Sequence, residues 1–188
     1  MLEGYRILDL GQVIAGTIGG LILADMGAEV IKVESPGGDI GRNPSIAGVG
    51  DVSSIHLTFN RGKKSLSIDL KSEEGKKIFF ELVKVSDAVL TNFRPGTMER
   101  LGLGIEEMKA HNPEIVFVES SGYGDVGPWR DKPAFDLVEV AMSGHMSITG
   151  EPGRPPARAG TPAADISSAL YQAIACMVGL LAKAKGHS

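Results

Sequence analysis

Tyr5-Arg6-Ile7-Leu8-Asp9-Leu10 and Glu29-Val30-Ile31-Lys32-Val33-Glu34 are two short runs with apolar centres, and between them lies an apolar helical stretch from about Ala15 to Met26. Strand, glycine-punctuated turn, helix and strand in this order make a βαβ unit. The second run is stopped by Pro36-Gly37-Gly38. The same alternation continues outward. Ser65-Leu66-Ser67-Ile68-Asp69 reads as a third strand, and Ser72-Glu73-Glu74 opens a helix with acidic residues in its first turn, where the helix dipole favours them. Ile78, Phe79, Leu82 and Val83 recur at helical spacing. Asp87–Thr91 is a fourth strand and Glu114–Glu119 a fifth, with a helix expected around 96–110. Residues 35–53 are polar and glycine-rich without a period and read as a surface loop. Strands spaced by helices of this length imply right-handed crossovers, hence an α/β fold: a mainly parallel, Rossmann-like sheet with helices on both faces.

Beyond Gly124 the pattern changes. A helix is expected near 135–148, followed by the irregular segment Gly150-Glu151-Pro152-Gly153-Arg154-Pro155-Pro156. A long helix then begins at Asp165, with Ile166, Ala169, Leu170, Ala173, Ile174, Met177, Val178 and Leu181 forming an apolar stripe meant for burial.

The 188 residues suffice for one domain, and 43% hydrophobic with 22% charged residues is the balance of a soluble globular chain. A net charge of −4 without long basic runs argues against nucleic-acid binding, although Arg61, Lys63 and Lys64 form a local cluster able to take a small polyanion. Cys176 is the single cysteine, so no internal disulfide is possible; its apolar helical setting reads as a buried structural thiol in a reducing compartment. Without a basic leader, and with no uninterrupted apolar run near the ~18 residues a bilayer span needs, the expectation is cytoplasmic, with no membrane partner.

Gly11, Gly16, Gly19 and Gly20 follow the first strand, but their spacing is not the G-x-G-x-x-G of dinucleotide folds, and packing of the first helix on the sheet explains Gly19 and Gly20 equally well. Gly62-Lys63-Lys64-Ser65 precedes a strand rather than a helix and cannot build a phosphate cradle; it reads as a solvated basic turn. The histidines at 56, 111, 145 and 187 have no metal-ligand spacing, so no metal is expected, and no G-x-S-x-G elbow is present. Asp165, between Gly160-Thr161-Pro162-Ala163-Ala164 and the long helix, takes the N-cap position. There it is either a simple cap or a carboxylate held ionised by the dipole and ready to attack an activated carbonyl. Residue physics permits both.

One ordered series of blocks resembles the family III CoA-transferases, the formyl-CoA and carnitine-CoA transferase type. It runs from Leu8-Asp9-Leu10, Ala15-Gly16 and Leu23–Glu34 through Asn60–Lys71, Asn92-Phe93-Arg94-Pro95-Gly96 and Arg100-Leu101-Gly102. It continues with Ser121-Gly122-Tyr123-Gly124, Gly127-Pro128, Phe135-Asp136-Leu137, Met142-Ser143-Gly144 and Ala164-Asp165-Ile166. The resemblance covers essentially the whole chain. It implies that Asp165 attacks an acyl-CoA thioester to give a mixed anhydride, that the CoA thiolate returns to form an aspartyl-CoA thioester, and that a carboxylic acid then receives the CoA. It implies a CoA grip at Ile68, Lys71, Asn92, Phe93, Arg94 and Arg100, with Lys71 and Arg100 on phosphates and Phe93 against the adenine. The Ala15 backbone would line the thioester pocket as an oxyanion donor. No cofactor beyond the CoA substrate is implied.

Departures from the family pattern carry information. Ile14 and Val140 stand where glutamines are common and Ser35 where several relatives place an arginine, which points away from formyl-CoA as substrate. The related acyl-CoA racemases use a histidine at the position of Phe135, so transferase is favoured over racemase, with a non-catalytic CoA-ester-binding subunit as a third reading. Family members continue through a small domain and a returning segment and pair as interlocked homodimers. Residues 1–188 would then be the N-terminal part of the large domain, one piece of a truncated or split protein, leaving an apolar stripe for the missing half to cover.

Overall fold

The computed structural model describes residues 1–43 and 48–187. In chain order its elements are β1 (Arg6–Asp9), α1 (Ile18–Asp25), β2 (Glu29–Glu34), the short hairpin β3 (Gly48–Val49) and β4 (Val52–Ser53), α2 (Ser54–Phe59), β5 (Lys64–Ser67), α3 (Glu73–Lys84) and β6 (Ala88–Thr91). They continue with α4 (Thr97–Arg100), α5 (Ile105–His111), β7 (Val116–Glu119), α6 (Asp136–Met142) and α7 (Ala163–Ala184). Five strands make one sheet in the order β5-β2-β1-β6-β7, and every neighbouring pair is parallel.

A parallel sheet exposes no face to water without penalty, and here both are covered. Helices α1 and α7 lie on one face, where Leu23, Ala173, Cys176 and Leu180 pack on Ile7, Val30, Ala88 and Leu90. Helices α3, α4 and α5 cover the other, where Phe79, Val83, Met98 and Met108 meet Leu8, Leu10, Val33 and Val89. The expected α/β architecture is thus the observed one. Cys176 is buried as expected, and burial, with Asp87 nearby, pushes its thiol up to about 12.

Several boundaries differ for local reasons. The helix expected over 96–110 is two: Gly102 at φ 71° ends α4, and the fully buried Leu103 anchors the break before α5 begins. The 135–148 helix likewise divides at Gly144, φ 81°, into α6 and a 3₁₀ turn over His145–Ile148. The stretch 35–53 contains a 3₁₀ turn at Ile40–Arg42 and the β3–β4 hairpin, part of it lying outside the described residues, and Ser53 caps α2 by accepting the His56 N–H at 3.1 Å. Helix α7 starts at Ala163, so Asp165 is its third residue and not its cap. By length and composition alone α7 is apolar enough to cross a bilayer. It lies instead on the sheet through Ala169, Ala173, Cys176 and Leu180, while Leu170, Ile174, Val178 and Leu181 remain exposed.

Candidate active site

From β1 the chain steps outward to β2 and β5, then crosses back to β6 and β7 on the other side of β1. Loops leaving the carboxyl ends of β1 and β6 therefore diverge, and open α/β sheets hold their ligands in the crevice so formed. Asn92, just past β6, ties the two loops together: its Oδ1 accepts the Gln12 N–H at 2.8 Å and its Nδ2 donates to the Gln12 carbonyl at 3.1 Å. The approach is close enough that a Cβ on Gly16 would fall 2.4 Å from Asn92 Oδ1, so only glycine fits there.

Two buried ion pairs brace the same loop. Lys63 Nζ donates to Asp9 Oδ2 at 2.7 Å, to the Thr17 carbonyl at 2.7 Å and to Asn60 Oδ1 at 3.0 Å, and both partners are essentially inaccessible. Burial pulls the Lys63 ammonium below the usual lysine range, against the opposing pull of Asp9. The solvated basic turn expected at Gly62–Ser65 is therefore wrong for Lys63. Arg61 and Lys64 stay at the surface, in exposed ion pairs with Asp25 and Glu29. Gly20 is small because it packs against Asp9 of β1, as expected for the first helix on the sheet, whereas Gly19 faces Gln172 and Ala169 of α7 instead.

The second pair is Lys32–Asp39, 3.1 Å apart and equally buried. Next to it, Glu34 accepts from Arg42 Nε at 2.8 Å and Nη2 at 2.6 Å and from the Asp39 N–H at 3.0 Å. Burial pushes the Glu34 carboxyl up, but the Arg42 guanidinium and the Asp39 amide outweigh it and hold it at about 2. Its folded pKa lies below the unfolded value, so the stability it contributes is full above about pH 4.5 and lost as pH falls toward 2. With solvent screening this amounts to about 1–2 kcal/mol. Urea unfolding at pH 7 and pH 3 should show wild type losing somewhat over half of that amount beyond what Glu34→Gln loses, since pH 3 still lies above the folded pKa.

Two adjoining cavities open at the crevice. The larger, about 560 Å³, is walled by Val13, Ala15, Phe93, Arg94, Arg130 and Asp165 among others, and also by Lys132, Phe135 and Glu139. The smaller, about 240 Å³, is lined by Lys32, Asp39, Ile68, Leu70, Lys71 and Leu101. Gln12, Phe93 and Thr97 belong to both and mark where they meet.

Of the residues singled out in the sequence, Ala15, Asn92, Phe93, Arg94 and Asp165 come together in the larger cavity, and Ile68 and Lys71 join Phe93 in the smaller. Arg100 lines neither: its Nη2 donates to Thr97 Oγ1 at 2.8 Å, and it converges with Arg130 over Gly96. His145 also lies outside both cavities.

Three carboxyls meet where α6 and α7 touch. Asp136 Oδ1 accepts the N–H groups of Ala164 at 2.9 Å and Asp165 at 3.4 Å, so the capping role expected of Asp165 falls to Asp136. Asp136 Oδ2 is buried with no hydrogen-bond partner among the described residues. Burial, and then the Asp136 charge, raise the Asp165 carboxyl from its ordinary value, a correction to the expectation that the dipole and nearby backbone N–H groups hold it ionised. Glu139, one turn along α6 from Asp136, is raised by burial and by both neighbours. Asp136→Asn keeps an acceptor for the helix amides while removing the charge. Its expected cost is about 1 kcal/mol or less of stability, and it should lower the Asp165 pKa, moving the acid limb of any pH–rate profile that reports Asp165 to lower pH.

Sequence reasoning missed Gln12, Thr97, Arg130, Lys132 and Glu139 as cavity walls. The W-R-D-K cluster at 129–132 and the i, i+3 spacing of Asp136 and Glu139 were the available signals.

The family III CoA-transferase model matches residues 2–188, and the chain belongs to that family. It is 44% identical over 180 residues to the succinyl-CoA:D-citramalate CoA-transferase of Chloroflexus aurantiacus, covering 95% of this chain and 45% of that protein. Against the human succinyl-CoA:glutarate CoA-transferase it is 42% identical over 185 residues, covering 98% of this chain and 42% of the relative. A crystal structure of a CaiB/BaiF family protein from Brucella suis superposes with a TM-score of 0.93 at 36% identity, over 98% of this chain and 50% of that one. The chain thus spans about half the length of the relatives it matches.

Proposed function

We propose that this chain carries the CoA-binding and nucleophilic half of an enzyme that moves CoA between an acyl-CoA and a carboxylic acid, with Asp165 as the attacking carboxylate. The observation that carries this reading is the position of Asp165 in the wall of the 560 Å³ cavity, half-buried and accepting no hydrogen bond from the described residues. A carboxylate freed from strong solvation and from ion pairing is a competent nucleophile toward a thioester. In the proposed cycle a carboxylate oxygen bonds to the thioester carbon, and the carbonyl π pair moves onto oxygen. Collapse then breaks the C–S bond and releases CoA thiolate, leaving an aspartyl–acyl anhydride. The thiolate attacks the aspartyl carbonyl of that anhydride, giving aspartyl-CoA and the departing carboxylate. The acceptor acid, entering as its carboxylate, takes the acyl position by attack on the aspartyl-CoA thioester, and the same steps in reverse yield the new acyl-CoA.

Relatives named for succinyl-CoA and a second dicarboxylate support the reaction class, and the cavity cations Arg94, Arg130 and Lys132 favour anionic ligands. CoA would lie along the smaller cavity past Ile68 and Lys71 and reach the larger one beside Phe93. The backbone N–H of Ala15 supplies an oxyanion donor. A racemase would need an α-proton base, and the exposed Phe135 supplies none. An interlocked homodimer, as the family resemblance implies, belongs to the same proposal. The test is to incubate the full-length protein with an acyl-CoA, quench, and look by peptide mass spectrometry for an adduct. An acyl or CoA adduct on the peptide carrying Asp165 is the expected result; turnover with no adduct there excludes the mechanism.

A further inference from the structure

The backbone amides of the β1–α1 loop can be accounted for one by one. Leu10 donates to the Leu90 carbonyl at 2.9 Å, Gly11 to Asp9 Oδ1 at 2.8 Å and Gln12 to Asn92 Oδ1 at 2.8 Å. Val13 donates to both oxygens of Asp39, each at 3.2 Å. Gly16 donates to the Gln12 carbonyl at 3.2 Å, Thr17 to that of Ile14 at 3.1 Å and Ile18 to that of Ile14 at 3.3 Å. Ile14 and Ala15 alone in this run have no acceptor among the described residues, and Ala15 lines the larger cavity.

The turn that leaves them free is strained. Val13 has φ 58°, the one non-glycine residue at positive φ among the described residues, and a β-branched side chain is poorly suited to that region. What holds it is Asp39, whose side chain is 1% exposed. Asp39 is fixed in turn by Lys32 at 3.1 Å and the Gly41 N–H at 2.8 Å, and Lys32 also reaches the Gly11 carbonyl of the same loop.

We infer that the buried Asp39–Lys32 pair is a positioning device: by holding Val13 in the left-handed conformation it turns the Ala15 N–H toward the cavity, where it meets the oxyanion. This rests on the transfer mechanism proposed above. Asp39 acts through Val13 and touches no reacting atom, so it should govern turnover more than CoA affinity.

The test compares two full-length double variants that both remove the buried charges, Lys32→Met with Asp39→Asn and Lys32→Met with Asp39→Leu. They differ in whether residue 39 offers an acceptor to the Val13 N–H. Turnover of the Leu pair should be lower by about tenfold or more, because an oxyanion donor loses its value with small displacements. Lys32 and Asp39 line the smaller cavity, so both pairs alter the wall along which CoA would lie. Because they alter it at the same two positions, CoA affinity by calorimetry should differ between them by less than turnover does. Adding Val13→Gly to the Leu pair should recover turnover, since glycine takes this φ without strain. Equal turnover in the two pairs, affinity falling by the same factor as turnover, or no recovery with Val13→Gly overturns the inference. Should the Leu pair not fold, amide exchange of the unaltered protein decides. Val13 should be protected and Ala15 fast, slowing on binding a thioester analogue; an Ala15 amide already protected in the free protein overturns it. Wild type without an Asp165 adduct defeats the mechanism itself, whereas an adduct with equal turnover in the two pairs defeats only this inference.

Discussion

Replacing Asp165 by Asn is expected to lower CoA-transfer turnover in the full-length protein by on the order of 10³-fold or more, while leaving stability unchanged or slightly improved. The two expectations have one cause. Asp165 is half-buried, accepts no hydrogen bond from the described residues and is raised by burial and by Asp136, so its negative charge is a cost to the fold. Asn fills the same volume without that charge, and the capping of α7 by Asp136 is untouched. A carboxamide cannot form the anhydride, so turnover falls even though CoA still binds. Transfer followed by chromatography of CoA esters, beside urea unfolding of both proteins, gives the two numbers. Turnover within a few fold of wild type in the Asn variant sinks the proposal.

The largest effect on stability is expected from Lys63→Met. It leaves the fully buried Asp9 carboxylate with the Gly11 N–H as its remaining hydrogen-bond donor among the described residues. Breaking one side of a buried pair costs about 3–5 kcal/mol because the surviving charge is stranded in low dielectric. For a chain of this size that corresponds to a melting temperature lower by roughly 10 °C. Adding Asp9→Asn should return much of the loss, since both charges are then gone and the loop keeps an acceptor. A single variant that melts with wild type would mean that water reaches the pair.

Much of the fold was legible because its signals are local. Glu29–Glu34 is a strand with the predicted limits, since a short run rich in β-branched residues and a Pro-Gly stop need no tertiary information. Helix α3 begins where Ser72 caps it, as the Ser-Glu-Glu sequence indicated. What could not be read depended on partners far along the chain. Lys63 looks like any surface lysine until β1 places Asp9 beneath it, 54 residues earlier. Asp136 takes the cap of α7 from a helix 28 residues before Ala164, and no local pattern distinguishes that from capping by Asp165. The break at Gly102 has no local signal, because its left-handed turn goes with the burial of Leu103. The resemblance supplied Asp165, Phe93 and Lys71 as candidates, but the cavity walls from Arg130, Lys132 and Glu139 required the coordinates.

The tie between Gln12 and Asn92 joins positions 80 residues apart, and the crevice also needs the first turn of α7 near position 165. Such long loop closures are slow and are paid for in chain entropy before any contact rewards them. During synthesis, then, the first strand waits for β6, its second neighbour, until about half of this chain has left the ribosome. Its edge remains open to wrong pairing throughout that interval, and slowed translation before β6 should increase misfolding more than the same delay placed after α7.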